Sequence, residues 1–225
     1  MKKYNVKVID NENFGDNTFI LRVEKPKGFS FKAGQFVMLY NGKAKRAFSI
    51  SSPPSKDAID LLIKKHEGGA ISPFFYDAKK GDEAVFSGPF GFFSLKEDEK
   101  DVLFISSGVG LAPQVSMIID SLENNPKRKI TLIFGFRNGF PYEKELRNLE
   151  EKYKNFELCA CCTNPKKEWD GFVGRVTEHL KDEVKFSGGK TVYITGPSEM
   201  MEDVERILVK DLGFSREKMH IERWG

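Results

Sequence analysis

The chain has 225 residues, and its 36 basic and 33 acidic side chains give a formal net charge of +3. Its 20 Phe, 6 Tyr and 2 Trp provide for a packed core and exclude a disordered chain. The interspersed charges are typical of a solvated surface, so we expect no nucleic-acid partner. No apolar run approaches the ~18 residues of a membrane-spanning helix, and the first residues lack the apolar core of a signal peptide. We therefore expect a cytoplasmic protein that does not insert into membranes.

In chain order, the first part of the sequence consists of short β-rich segments separated by Gly and Pro. Short strands with regular turn signals predict a small antiparallel barrel or sandwich. One short helix is predicted within this part, at Ala70–Tyr76. The predicted strands lie around Tyr4–Val8, Phe19–Val23, Gln35–Leu39, Ala47–Ser51, Ile59–Lys65 and Glu83–Ser87.

After the charged segment Lys96–Lys100, the pattern changes to strands that alternate with helices. Continuous apolar strands followed by helices predict a parallel sheet covered on both faces. We therefore predict two domains, residues 1–96 and residues 97–225. The predicted strands of the second domain are Val102–Ser106, Ile130–Phe136, Phe156–Cys161, Val192–Thr195 and His220–Glu222, and its helices lie at Gln114–Leu122, Tyr142–Lys154, within Val173–Leu180 and at Glu199–Asp211.

The three cysteines lie within four positions, at Cys159, Cys161 and Cys162. Their spacing matches neither a zinc site nor the four thiolates of an iron–sulfur cluster. They occupy a predicted buried strand, where a free thiol packs as a small hydrophobic group. We therefore expect structural thiols, no metal site and no iron–sulfur cluster.

A glycine-rich turn, Gly108-Val109-Gly110-Leu111-Ala112-Pro113, joins the first strand of the second domain to its first helix. Glycines let backbone N–H groups approach a pyrophosphate, and a helix N-terminus attracts negative charge. Proline suits the first helical turn, where its missing N–H is not needed. Phosphate binding is thus favoured over a purely structural turn. Two further turns, Thr195-Gly196-Pro197 and Gly68-Gly69, fit either a ligand site or an ordinary connection.

The segment Arg46-Ala47-Phe48-Ser49, taken with these turns, resembles the ferredoxin–NADP reductase superfamily over nearly the whole chain. Six motifs of that family occur here in the family's order. The resemblance implies a flavin-binding β-barrel followed by an α/β parallel-sheet domain that binds a nicotinamide dinucleotide. The matching segments are Arg46–Ser49, Gly68–Ser72, Gly88–Phe93, Gly108–Pro113, Gly135–Arg137 and Thr195–Pro197.

By this resemblance, the flavin binds to the first domain. Arg46 would pair with its pyrophosphate, a task suited to a planar and permanently charged guanidinium. Phe48 would lie against the isoalloxazine ring, and Ser49 would place its hydroxyl near flavin N5. A pyrophosphate site implies FAD rather than FMN. The other residues implied to contact this cofactor are Ala47, Ile63, Lys64, Gly69, Ala70, Ile71 and Ser72.

The resemblance likewise assigns NAD(P)H to the second domain. Arg137 and Thr163 would lie near the adenosine end. The loop Thr163–Lys167 lacks the Arg that NADP-specific relatives often carry, which favours NADH, although two lysines of the loop offer charge for a 2′-phosphate. The remaining implied contacts are Gly108, Val109, Gly110 and Pro113 at the pyrophosphate, together with Gly196, Pro197 and Met200.

Ser49 and three residues near the chain end are the implied catalytic residues. Thr195 replaces a family Cys near the nicotinamide and is expected to donate a hydrogen bond there. Glu222 and Trp224 match a C-terminal Glu-x-aromatic pattern, in which Trp224 would stack on the flavin. The alternatives are a surface carboxylate for Glu222 and a core-packing role for Trp224.

Taken together, the motifs imply a flavin-dependent NAD(P)H oxidoreductase that passes electrons to a separate acceptor. Ferredoxin, flavodoxin or an oxygenase component would fill that role, because the chain has no cluster-binding cysteines of its own. Two alternatives remain open. One is a reductase of free flavin or a small acceptor, and the other is a non-catalytic dinucleotide-binding subunit of a redox complex.

Overall fold

The computed structural model describes residues 2–184 and 189–223. Contacts group the chain into two compact units, the first formed by Met1–Leu95 with Ala112–Asp120 and the second by Lys96–Leu111 with Ser121–Gly225. Each unit is built around one six-stranded sheet. Within the described residues, no helix combines the length and apolar character needed to span a bilayer.

The first unit is an antiparallel barrel. Its strands run in the order β4-β3-β6-β1-β2-β5, and an antiparallel bridge between Ile50 and Leu61 connects the two outer strands. This closure confirms the predicted class of the first domain. The elements are β1 (Lys3–Gly15), β2 (Thr18–Glu24), β3 (Phe36–Asn41), β4 (Ala44–Ser49), β5 (Ala58–Lys64), α1 (Ser72–Tyr76) and β6 (Glu83–Phe90).

Apolar side chains on the inward faces of these strands fill the barrel. Phe19, Leu21 and Val23 follow one another at every second position of β2 and are fully buried, as expected for one face of a strand. Strand β1 extends to Gly15 instead of ending near Val8, because its pairing with β2 continues past two register irregularities. Local alternation therefore predicts the strand but not its length.

A buried ion pair lies among these strands. Asp60 on β5 is fully buried, and Arg22 on β2 reaches it through Nε–Oδ1 and Nη2–Oδ2 contacts of 2.8 and 3.2 Å. The Lys56 ammonium lies 2.7 Å from Asp60 Oδ2. A buried carboxylate is tolerated when it is paired and hydrogen-bonded in this way.

From residue 101 onward the chain forms a parallel sheet in the order β10-β9-β8-β7-β11-β12. This confirms the predicted α/β class of the second domain. The elements are β7 (Asp101–Ser107), α2 (Leu111–Asn124), β8 (Lys129–Phe136), α3 (Glu143–Lys152), β9 (Phe156–Cys162), β10 (Phe172–Val173), α4 (Val176–Glu183), β11 (Thr191–Thr195), α5 (Ser198–Arg206) and β12 (Met219–Glu222). A π-helical turn, Ile207–Asp211, continues α5.

The order of the parallel strands creates a switch point. The chain proceeds from β7 outward through β8 and β9, and then returns to β11 on the other side of β7. Register aligns Ser106 with Thr195, and Ser107 with Gly135, so the carboxyl ends of these strands share one edge. Ligands of open parallel sheets bind at that edge, next to the switch point.

The three cysteines lie on β9, where each is buried and reduced. Cys159 and Cys161 belong to the apolar cluster of the second unit, together with Ile133 and Leu180. The predicted role as packed hydrophobic thiols is confirmed.

A network of hydrogen bonds around Glu99 holds the segment before β7 against the parallel sheet. The buried carboxylate of Glu99 accepts hydrogen bonds from the Tyr193 hydroxyl on β11, at 3.1 and 2.9 Å. Arg128 Nε donates to the Glu99 carbonyl oxygen at 2.6 Å, and the His220 ring of β12 stacks on Tyr193 at 4.7 Å. Burial raises the pKa of Tyr193, which keeps the phenol protonated as the donor, and burial also lowers the pKa of His220. The network anchors β11 and β12 to each other and to Glu99.

Candidate functional site

The candidate flavin residues of β4 alternate between its two faces. Arg46 and Phe48 stand on one face, opposite Leu39 and Val37 of β3, and Ser49 belongs to the other face. Arg46 is exposed, Phe48 is half-buried against the barrel core, and Ser49 is buried. Among the side chains that the structure describes, no carboxylate lies within ion-pair distance of the Arg46 guanidinium. Its charge is therefore available to an anionic ligand, which fits the predicted pairing with a pyrophosphate.

The turn that contains the second flavin motif is held next to the β3–β4 hairpin. Asn41 Nδ2 donates to the carbonyl oxygen of Ala70 at 3.0 Å. Within the turn, the His66 N–H donates to Ser72 Oγ and the Gly69 N–H to the His66 carbonyl, both at 3.0 Å. Gly68 has φ +79°, and a Cβ there would meet no atom within 4 Å. The open space above this turn fits a phosphate group.

The structure specifies which groups near α1 could contact a phosphate. Helix α1 has five residues, so an anion there depends on individual N–H and O–H donors rather than on a helix dipole. Ser72 Oγ already accepts a hydrogen bond, which leaves its proton to donate. Ile71 and Ser72 are buried, whereas Gly69 and Ala70 are exposed.

The last two candidate flavin residues end β5. Ile63 is buried in the barrel core, and Lys64 Nζ lies 3.3 Å from Asp16 Oδ2 in a half-exposed ion pair. Ion pairs of this type contribute about 0–1 kcal/mol, so this one does not prevent Lys64 from turning toward an anion.

The glycine turn after β7 is shaped by a close approach of two backbone segments. Gly108 has φ +55°, and a Cβ there would point into open space. At Gly110, a Cβ would lie 2.5 Å from the Thr195 carbonyl oxygen and 2.8 Å from the Gly196 nitrogen. The turns that follow β7 and β11 therefore meet at Gly110, directly at the switch point, where only a residue without a side chain fits.

The Thr195 hydroxyl is hydrogen-bonded at the point where the two turns meet. It is fully buried, and its Oγ1 donates to the Gly110 carbonyl oxygen at 2.6 Å. The expected donation to the nicotinamide conflicts with this bond, because the hydroxyl proton is used within the protein. Its role toward the nicotinamide stays a prediction, limited in this arrangement to accepting a hydrogen bond.

The other candidate residues for the nicotinamide end follow β11 or lie beside it. Gly196 has φ +152°, Pro197 immediately precedes α5, and the Met200 methyl group covers Gly196. Glu222 is the register partner of Thr195 on β12 and is half-buried. The structure thus brings Thr195 and Glu222 together, whereas Trp224 lies outside the described residues.

The predicted adenosine residues lie on two neighbouring loops. The Thr163 N–H donates to the Phe136 carbonyl at 3.0 Å, Cys162 Sγ donates to the Arg137 carbonyl at 3.2 Å, and Asn164 Nδ2 donates to Asn138 Oδ1. These bonds tie the end of β8 to the end of β9. In the part of the chain that the structure describes, the exposed side chain of Arg137 has no acidic partner.

Sequence reasoning missed two features of this edge. One is an aromatic group in which the Phe136 and Phe140 rings stack at 4.7 Å and Trp169 packs edge-on against Phe136 at 5.1 Å. The other is Ser107, the last residue of β7. The available signals were the aromatic residues that flank the two adenosine-side loops and a hydroxyl residue directly before Gly108.

Comparisons with known proteins match both units. The model of the oxidoreductase FAD-binding domain matches residues 5–95, and that of the oxidoreductase NAD-binding domain matches residues 104–206. The phenol hydroxylase P5 protein of Acinetobacter pittii is 34% identical over 234 residues, covering 100% of this chain and 66% of the relative. The reductase component DmpP of phenol 2-monooxygenase from Pseudomonas sp. is 35% identical over 208 residues, covering 88% and 59%. The chain thus spans two thirds or less of these relatives.

Solved structures share the fold across the full chain. A ferredoxin NADP+ reductase from Neisseria gonorrhoeae with bound FAD and NADP superposes with a TM-score of 0.82 and 24% identity, covering 99% of this chain and 98% of that one. The Amycolatopsis cytochrome P450 reductase GcoB superposes with a TM-score of 0.87 and 22% identity, covering 99% and 69%.

Proposed function

This chain belongs to the ferredoxin–NADP reductase superfamily, as an FAD-dependent NAD(P) oxidoreductase, and from that premise we propose that it oxidises NADH and delivers electrons to a separate protein. The observation that carries the proposal is the pair of glycine turns that meet at Gly110 and Thr195, at the switch point of the parallel sheet. FAD, when bound, supplies the conversion of a two-electron hydride donor into single-electron transfers.

In this proposal, β4 supplies the principal flavin contacts. Arg46 binds the pyrophosphate through its guanidinium, which has no acidic partner among the described residues, and Phe48 provides an apolar surface for the isoalloxazine ring. Ser49 directs its hydroxyl to flavin N5. The Gly68–Ser72 turn contributes N–H donors and the Ser72 proton. A half-buried ring beside a cation with no acidic partner in the described part of the chain suits a cofactor that joins an aromatic ring system to a doubly anionic pyrophosphate.

The second unit binds the nucleotide and sets the preference for NADH. The N–H groups of the Gly108–Pro113 turn bind the pyrophosphate, and Arg137 lies at the adenosine end. Asn164 is neutral and bonded to Asn138, so the loop offers a 2′-phosphate only the flexible and exposed Lys166 and Lys167. A lysine binds phosphate as a point charge, without the two parallel hydrogen bonds that arginine makes. This composition supports NADH over NADPH.

The acceptor is proposed from the relatives that are named as phenol hydroxylase proteins. By analogy with DmpP, the chain serves as the reductase of an oxygenase component or of a ferredoxin- or flavodoxin-type carrier. The relatives are longer, so the chain corresponds to only part of such a reductase. Reduction of free flavin or a small acceptor is the runner-up, and a non-catalytic dinucleotide-binding subunit is the third candidate.

Purified protein tests the proposal directly. We expect it to retain FAD through gel filtration, to reduce that FAD with NADH in stopped flow, and to pass electrons to ferricyanide and to a ferredoxin. NADPH, titrated side by side, is expected to give the higher KM. Loss of FAD on the column together with rapid reduction of added flavin would favour the free-flavin reductase. If neither NADH nor NADPH reduces the bound flavin, the proposed oxidoreductase function is wrong.

Arg46→Ala is expected to weaken FAD binding roughly 10- to 50-fold, because a charge-assisted contact to the pyrophosphate is lost. Fluorescence titration of the apoprotein with FAD measures the change. Arg46→Lys is the control, since it keeps the charge but loses the two parallel hydrogen bonds, and it should fall between wild type and the Ala variant. Equal FAD affinity in all three proteins would remove Arg46 from the site.

A further inference from the structure

We propose that Ser107 is a dinucleotide-binding residue whose hydroxyl donates a hydrogen bond to the nicotinamide half of the bound nucleotide. The inference rests on the proposed function and adds a specific contact to it. Ser107 is half-buried and ends β7 in an extended conformation, with φ −142° and ψ 150°. It stands directly before the Gly108–Gly110 turn, at the switch point.

The Ser107 hydroxyl has no hydrogen-bond partner in the described ranges 2–184 and 189–223. It faces Gly196, where a Cβ would lie 3.2 Å from Ser107 Oγ and 3.3 Å from the Ser107 nitrogen. The Met200 methyl group lies nearest to that Cβ position and covers the Gly196 side. A ligand would therefore reach the Ser107 hydroxyl from the side of Gly108, where a Cβ would meet nothing within 4 Å.

The neighbouring hydroxyl cannot serve as the donor. Thr195 Oγ1 donates its hydrogen bond to the Gly110 carbonyl oxygen at 2.6 Å and is fully buried. Ser106 Oγ also lacks a hydrogen-bond partner within the described residues, but it is fully buried. Ser107 is therefore the half-exposed hydroxyl residue at this crossing whose proton is not donated to another described residue. A polar ligand group that accepts a hydrogen bond is its natural partner, because a partly desolvated hydroxyl gains most from being paired.

Strand order decides which half of the nucleotide Ser107 contacts. A pyrophosphate on the turn after β7 leaves the adenosine end toward β8 and β9, where Arg137 and Thr163 lie. The nicotinamide end then extends the other way, toward β11. Ser107 faces the β11 turn through Gly196, so its hydroxyl belongs to the nicotinamide side. The carboxamide oxygen of the nicotinamide is the acceptor.

The test compares two ligands and two serine variants in the FAD-loaded protein. NAD+ carries the nicotinamide, whereas ADP-ribose has the same adenosine and pyrophosphate without it. Ser107→Ala removes the proposed donor. Ser106→Ala is the matched control, because Ser106 precedes it on β7, is fully buried, and presents its side chain to the opposite face. Calorimetry measures each dissociation constant, and thermal melts verify that both variants fold.

We expect Ser107→Ala to weaken NAD+ binding about 3- to 10-fold, the usual effect of one lost hydrogen bond, with ADP-ribose binding within about twofold of wild type. Ser106→Ala should bind both ligands as wild type does. Unchanged NAD+ affinity in Ser107→Ala, a parallel loss for both ligands, or an equal loss in Ser106→Ala would each overturn the assignment. Failure of wild-type protein to bind NAD+ would instead count against the proposed function.

Discussion

Gly110→Ala is expected to lower kcat/KM for NADH by about 100-fold or more, because a displacement of about 1 Å at a reacting site can cost that much. The new Cβ would lie 2.5 Å from the Thr195 carbonyl oxygen and 2.8 Å from the Gly196 nitrogen. Both neighbours are backbone atoms that cannot rotate away. The two turns must therefore separate, and the 2.6 Å bond from Thr195 to Gly110 lengthens or breaks.

Stopped-flow reduction of the bound FAD over a range of NADH concentrations measures this effect. FAD content should stay at the wild-type level, because the candidate FAD contacts belong to the first unit. Gly189→Ala is the matched control, since a Cβ at Gly189 would meet nothing within 4 Å. If Gly110→Ala and Gly189→Ala reduce FAD at the same rate, the crossing of the turns does not position the nucleotide.

Arg22→Met is expected to lower the free energy of unfolding by about 3 kcal/mol, at the lower end of what breaking a buried ion pair costs. The substitution keeps the aliphatic bulk and removes the guanidinium that binds the fully buried Asp60 through two contacts. Lys56 remains at 2.7 Å from Asp60 Oδ2 and keeps part of the compensation. The buried carboxylate is then left with a single cationic partner.

Urea unfolding of the FAD-loaded protein provides the comparison. Lys7→Met removes an ion pair with Glu83 whose side chains are 51% and 83% exposed, and it should cost about 1 kcal/mol or less. Equal urea midpoints for the two variants would show that burial of Asp60 adds nothing to the strength of its pairing.

Both domain classes could be predicted because their signals are local. Strand β7 is a continuous apolar run, whereas β1 alternates apolar and polar residues over Tyr4–Val8. The sequence itself therefore distinguishes a parallel sheet from an antiparallel one. The sequence predicts a barrel but not the pair that closes it, Ile50 with Leu61, because no local pattern connects those two segments. The two-residue strand β10 was missed for the same reason, since it exists only as a register partner of β9.

The candidate site was predicted where a residue type implies a backbone requirement, as at Gly108 and Gly110. The sequence did not predict the role of a side chain where that role depends on a hydrogen bond within the protein. Thr195 looked available as a donor because its bond to Gly110 spans 85 positions. Ser107 was not predicted, because the motif is carried by the glycines after it. The stacking role of Trp224 stays a prediction.

The bridge between Ile50 and Leu61 affects how other proteins can bind this chain. It lies one residue beyond β4 and closes the barrel at a single pair between its outer strands. In the parallel sheet, the described outer strands β10 and β12 have two and four residues. Short or closed edges discourage recruitment of a foreign strand. A protein that binds this chain would then be recognised mainly through surface side chains, so substitutions there can change binding while both folds stay intact.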